Sequence, residues 1–261
     1  MRISKDELFG KYITFDKDVP YKDFMVKPIK VKDFWELSMP LGMLDFPKNE
    51  MGSIELIQMP YMAFWLSVMI EHDETLGLVE TFLRAILDIG DEEVIQVTYD
   101  LKEIRVGRPI GTTRDGYEIL AEGHRTIDCD DFDEIKRIVL YYSVVDYTEE
   151  YVSQEVRQAT EDYFRLKSNG KSTSMEHKVR CLSLAMEVSK ETIGEMSLRD
   201  FNLYYEALSN YTEYGANRIA ESQGVKFKKP LESWLYDEHK NKYDMAFCDA
   251  DTFESYVAGA N

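Results

Sequence analysis

The run Tyr61-Met-Ala-Phe-Trp-Leu-Ser-Val-Met-Ile70 is the most apolar stretch of the chain. Spanning a bilayer takes about 20 such residues, so this run reads instead as part of a core helix. Ser53 is placed to cap that helix, which is expected over about residues 54–71. Its apolar residues run nearly all round, which makes it central. A second helix is expected from about 75 to 87, where Leu76, Val79, Leu83 and Ile86 keep three- and four-residue spacing and Gly90 lies just past the end. Trp35 and Trp65 are both expected in the core.

Before this centre, Tyr12 to Val31 reads as extended, with Pro28 suggesting an edge strand. A helix follows over about 31–43, kinked or ended by Pro40. After the centre the period changes. Val94-Ile-Gln-Val97, Ile104 with Val106, Tyr117 to Leu120 and Arg125-Thr-Ile127 are short β-prone pieces punctuated by Gly107, Gly111, Gly116 and Gly123. They predict a small antiparallel meander or a hairpin pair.

From Asp128 on, the pattern is helical. Asp130 or Asp131 is expected to cap a helix to Tyr142, and Ser153 one to Lys167. Thr173-Ser-Met-Glu176 matches a capping box, and Ser189 and Ser197 open two further helices. Gly224 ends the last of these, and a final helix is expected around Trp234. The fold class is therefore α+β: an N-terminal half with helices and a small antiparallel sheet, and a mainly α-helical C-terminal half. A mixed region 1–127 and a helical region 128–261 are one division; the polar linker 168–172 is another possible boundary.

With 261 residues, 44% hydrophobic content and 13% aromatics, the chain has ample apolar surface to bury. Its net charge of -18 repels phosphate backbones and anionic membranes, which disfavours both nucleic acid and membrane as partners. Three widely separated cysteines (Cys129, Cys181 and Cys248) fit a reducing compartment rather than a disulfide framework. The opening residues, MRISKDELFGKY, have no apolar core of a signal peptide.

No catalytic, cofactor or metal motif emerges. Asp128-Cys-Asp-Asp-Phe-Asp133 fails as a calcium loop, because Phe132 and Asp133 stand where an oxygen ligand and a glycine are needed. The acidic run reads as a helix N-terminus, and Asp249-Ala-Asp251 fails likewise. His177 and Cys181 stand four apart without a second ligand pair. Glu134-Ile-Lys136 and Glu103-Ile-Arg105 have the carboxylate-x-base form of a metal-dependent hydrolase, but Glu134 falls on a helix and Lys136 is expected on its solvated face. Glycine-rich nucleotide cradles and nucleophile elbows are missing.

Several landmarks, in order along the chain, resemble a group of tail assembly chaperones and tail-region proteins of phages that infect Gram-positive hosts. They are Val19-Pro-Tyr-Lys-Asp-Phe-Met-Val-Lys-Pro-Ile-Lys-Val-Lys-Asp-Phe-Trp-Glu36, Leu44-Asp-Phe-Pro-Lys-Asn49, Ile57-Gln-Met-Pro-Tyr-Met62, Asp131 to Val139 with Tyr151 to Arg157, Met196 to Phe201, and Ala220 to Lys229 with Trp234. One departure stands out: Tyr141-Tyr142-Ser143 replaces a Gln-Asn pair found in the group.

The resemblance implies a protein of the host cytoplasm that keeps the long helical tape measure protein soluble before the tail tube polymerises, with other tail proteins and self-association as further contacts. A structural tail or connector component is the alternative, and a carboxylate-based hydrolase a second. Helix-in-groove binding of such a client calls for exposed aromatics. Phe201, Tyr204, Tyr205, Tyr211 and Tyr214 are the expected partner-binding residues, several of them sharing a helix face.

Overall fold

The computed structural model describes residues 2–70, 73–114, 116–167, 173–227, 230–236 and 239–244. The chain divides into two compact units, Met1–Ser143 and Val144–Asn261. The sequence-based linker at 168–172 and Asp249-Ala-Asp251 lie outside the described residues.

The first unit opens with α1 (Lys5–Lys11), an element with no counterpart in the sequence reading, capped by Ser4 accepting from the Glu7 N–H. Tyr12 to Phe15, expected as strand, forms a 3-10 turn closed by Asp16 at φ 51°. Strands β1 (Val19–Tyr21) and β2 (Phe24–Val26) then pair antiparallel as a short hairpin. Helix α2 (Phe34–Leu44) continues past Pro40, so the proline does not end it. The carbonyl that loses its donor belongs to solvent-exposed Glu36. The Pro40 carbonyl accepts the Trp65 indole N–H at 3.1 Å.

The single helix expected over 54–71 is two: α3 (Ile54–Gln58), capped by Ser53, and α4 (Tyr61–Ile70). Pro60 forces the break, because the residue before a proline is pushed out of the helical region, and Met59 stands at ψ 134°. Helix α5 (Asp73–Ile86) returns along α4 and α2. The β region combines both expected forms. Strands β3 (Val94–Val97), β4 (Glu103–Gly107) and β7 (Arg125–Asp128) make an antiparallel sheet with β4 central. Between β4 and β7 the chain projects a separate hairpin, β5 (Pro109–Thr112) with β6 (Glu118–Leu120). Gly107 sits at the base of that hairpin, where a Cβ would lie 2.8 Å from the His124 Cβ.

Helix α6 (Cys129–Ser143) lies across this unit and closes its core. The expected boundary at 128 would have cut it away. The structure instead keeps α6 with the N-terminal unit, because its Phe132, Ile135, Ile138 and Val139 are buried there. Trp65 is fully buried, with ring centroids 5.5 Å from both Phe82 and Phe132. One ion pair is also sequestered: Arg137 with Glu134 at 2.6 Å, both nearly inaccessible. That pair clamps the segment before α1, since the Ile3 N–H donates to Glu134 Oε1 and the Ile3 carbonyl accepts from Arg137. Neither charge is left uncompensated, as burial demands.

The second unit comprises α7 (Gln154–Lys167), α8 (Met175–Met186), α9 (Lys190–Gly194) and α10 (Leu198–Ser222). Caps set all four of these starts, Ser153 accepting the Val156 N–H at α7. Ser174, Ser189 and Ser197 each accept a backbone N–H three residues on; at α8 the cap is one residue later than the capping box suggested. The expected final helix around Trp234 is one 3-10 turn, Trp234–Tyr236. Among the described residues, the buried apolar side chains of this unit are Val152, Leu182, Ile193, Leu198, Phe201 and Tyr243. That is a small core for so many helices, while the first unit holds the great majority of the buried apolar residues.

Trp35 corrects one expectation: it is 59% exposed, because α2 buries the face carrying Leu37, Pro40, Leu41 and Leu44. Replacing Trp65 with Ala should therefore destabilise the chain by about 3–5 kcal/mol, whereas Trp35→Ala should stay within about 1 kcal/mol of wild type. Urea unfolding of both variants checks the difference.

Candidate functional site

Helix α10 is the longest element, with 25 residues, or about 37 Å at 1.5 Å per residue. Ser197 accepts the Asp200 N–H at 3.2 Å, and Asp200 complements the positive end of the helix dipole. The far end stops at Gln223, with Gly224 at φ 94° letting the chain turn back. Along one side run Leu198, Phe201, Tyr205, Leu208, Thr212 and Ala216, at successive spacings of three and four. This is the pattern of a helix that packs along its whole length.

Only the start of that stripe is packed away: Leu198 and Phe201 are the buried residues of α10. Helix α8, the principal neighbour, has 12 residues, about 18 Å and less than half the length of α10. Farther along, the stripe opens into a groove of about 370 Å³ lined by Cys181 of α8 and by Tyr205, Leu208, Ser209, Thr212, Glu213 and Ala216. At Tyr205 the Lys178 ammonium stands 5.2 Å from the ring centroid. Burial pulls the Lys178 amine below its ordinary pKa. Past the groove, Ile219 is 61% exposed.

The expected partner-binding residues therefore do not form one surface. Phe201 is a correction: it is fully buried and belongs to the core of its unit, because it lies in the part of the stripe that is packed away. Tyr205 lines the groove. Tyr204 and Tyr211 are exposed on another face, with Tyr214 half-buried, and Tyr211 meets Trp234 edge-on with centroids 5.3 Å apart. The expected set lacks Leu208, Thr212 and Ala216, although their spacing from Leu198 and Phe201 points to them, because the stripe mixes aromatic, aliphatic and small residues.

The other chemical candidates are engaged structurally. Asp128 Oδ1 accepts the Asp131 N–H at 2.8 Å, and Asp131 in turn accepts from the Tyr21 hydroxyl and pairs with Lys22. Burial and this carboxylate push the Tyr21 phenol pKa well up. Glu134 and Lys136 do not converge, since Glu134 pairs with Arg137. Lys136 is a second correction, because it is half-buried rather than solvated. Its Nζ lies 3.2 Å from the Tyr61 ring centroid, and desolvation brings its pKa down to about 8. His239 contacts a carboxylate at each ring nitrogen, Glu206 at Nδ1 (2.7 Å) and Asp146 at Nε2 (3.0 Å), which leaves neither free for a substrate. Among the described residues no group of three or more His, Cys, Asp or Glu is arranged to hold a metal, and no helix is long and apolar enough to cross a membrane.

No protein-family model matches this chain, and neither a curated protein nor a solved structure matches it.

The Lys136 amine sets a pH-dependent expectation. Its folded pKa of about 8 lies below the ordinary 10.5, so between those values the unfolded chain binds more protons and stability rises with pH. Lys136→Met removes that contribution. The stability of the variant minus that of wild type, read from urea midpoints, should fall between pH 7 and pH 10; a difference independent of pH contradicts the burial of this amine.

Proposed function

We propose that this chain is a non-enzymatic protein-binding protein that receives an amphipathic helix of its client along α10. The single observation that carries the reading is the apolar stripe of α10 running on past its buried start into an open groove beside α8 at Tyr205, Leu208, Thr212 and Ala216. An unpartnered helix-packing stripe is what helix-in-groove recognition uses. Charge narrows the occupant. Between Arg199 and Arg218, α10 carries Asp200, Glu206 and Glu213 and no basic residue. A client helix with an apolar stripe and basic flanks complements that surface.

Together with the ordered landmarks quoted above, this supports the reading of a phage tail assembly chaperone. In that role the protein holds the tape measure protein soluble in the host cytoplasm and is absent from the finished particle. A tape measure exposes long apolar stripes until the tube forms around it, and covering them suppresses aggregation.

A structural tail component is the second reading, and one observation favours it. The β5–β6 hairpin, tied to the sheet by Gln96 Nε2 donating to the Glu118 carbonyl at 2.6 Å, leaves Ile110, Tyr117 and Ile119 exposed. A lone hairpin is marginal in water unless something packs on it, and neighbouring subunits in a ring would supply that. A mass-spectrometric inventory of purified particles separates the two: stoichiometric presence supports the structural component, absence the chaperone.

Leu208→Arg, at a half-buried position on the groove wall, should cost about 1 kcal/mol of stability and leave the chain folded. It should also weaken binding of a tape measure protein co-expressed with the chain by about thirtyfold. Undiminished co-purification contradicts the placement of the client on α10.

A further inference from the structure

Every residue of α7 whose exposure is described is half-buried or exposed, and among the described residues no other helix of ten residues or more lacks a buried side chain. The start of α7 is nonetheless fixed. Ser153 caps it, Val152 just before it is buried, and Arg157 donates to the Val152 carbonyl at 3.2 Å and lies 5.7 Å from the Tyr243 ring centroid. Its apolar side is open. Val156, Ala159, Tyr163 and Leu166 recur at spacings of three, four and three, with Tyr163 41% and Leu166 74% exposed. That alternation is the seam along which two helices pack side by side. A helix of 14 residues is marginal in water without such packing.

Charge decides what fits the seam. The chain carries -18 overall, so its copies repel one another. On α7 that repulsion is lifted, because Glu155, Glu161 and Asp162 are balanced by Arg157, Arg165 and Lys167. The order of the charges is also self-complementary. By helical position, Glu155 and Asp162 fall on one flank of the stripe, and Thr160 and Lys167 fall on the other. Two parallel α7 helices bring position 162 of each copy beside position 167 of the other, an acid against a base, twice about a two-fold axis. Antiparallel packing would instead set the acidic flank of one copy against the acidic flank of the other. The Asp162–Arg165 pair within the helix, at 2.8 Å, is exposed and holds Asp162 only weakly.

We propose that α7 is a dimerisation helix: two copies of this chain pair in parallel along Val156, Ala159, Tyr163 and Leu166. The inference goes beyond the reading of α10 and does not depend on it. A dimer does have a consequence for that reading. It offers two α10 grooves to one long client, and the second engagement becomes intramolecular, which raises avidity. So short a seam falls below the size of a standard interface, and a Kd on the order of 10 μM fits it.

Sedimentation velocity of the full chain from about 1 to about 200 μM tests the proposal, and wild type should pass from monomer to dimer across that range. Leu166→Asp should weaken the dimer by at least about thirtyfold. Its thermal melting at the lowest concentration should match that of wild type, because Leu166 is exposed. Asp162→Lys and Lys167→Asp should each weaken the dimer by about fivefold, and the two together should restore it, since the pair is then reversed and whole again. A wild-type chain that stays monomeric at every concentration overturns the proposal, as does a dimer that survives Leu166→Asp. Single charge variants that are not rescued by the double variant overturn the parallel pairing. Slow amide exchange along α7 at every dilution means that another part of this chain covers the seam, and overturns the proposal as well. None of these outcomes bears on the client reading, which co-purification with Leu208→Arg tests separately.

Discussion

Among the described residues of its unit, nothing covers helix α10 along its whole length, and the functional account depends on that mismatch. A helix whose apolar positions recur every three and four residues gains its stability by packing that side. Here α8 spans less than half the length, so burial ends after Leu198 and Phe201 while the stripe goes on. The uncovered part is not polar, as a solvated overhang would be. It carries Tyr205, Leu208, Ala216 and the exposed Ile219.

The two units show opposite ways of spending apolar sequence. In the first, α4 and α6 deliver Trp65 and Phe132 to one place, and helices and sheet converge on them. Its charged residues are turned to structural use: Asp128 caps α6, Asp131 ties down the β1–β2 hairpin, and Glu134 with Arg137 holds the N-terminal segment. In the second unit few large side chains are buried, and aromatic residues remain at or near the surface on α7 and α10, among them Tyr163, Phe164, Tyr204 and Tyr211. The first unit reads as a scaffold and the second as the working surface.

Much of this was legible in the sequence wherever a local rule decides the outcome. Ser53, Ser189 and Ser197 cap where expected, since a serine side chain offers the free N–H groups of a helix start an acceptor. The change of period after Gly90 gave the strands, because alternation and helical spacing are distinct patterns. Readings failed where distant residues decide. Which side of α2 faces inward depends on where α4 and α5 lie, so Trp35 was misplaced. The boundary after α6 depends on Phe132 reaching Trp65, which no local signal announces. The break at Pro60 was legible and was overridden by the strong apolar run around it. Phe201 and Tyr205 look alike in sequence, and only the length of α8 separates a core position from a groove position.

Amide hydrogen exchange along α10 in the isolated protein tests the central claim most directly, because protection follows local packing. The account predicts slow exchange through the turns around Phe201, much faster exchange from Leu208 to Ser222, and slowing of that second half when an amphipathic helix with basic flanks is added. Uniform slow exchange over the whole of α10 in the isolated protein, unaltered by the added helix, would mean that the stripe is already covered and would contradict the account.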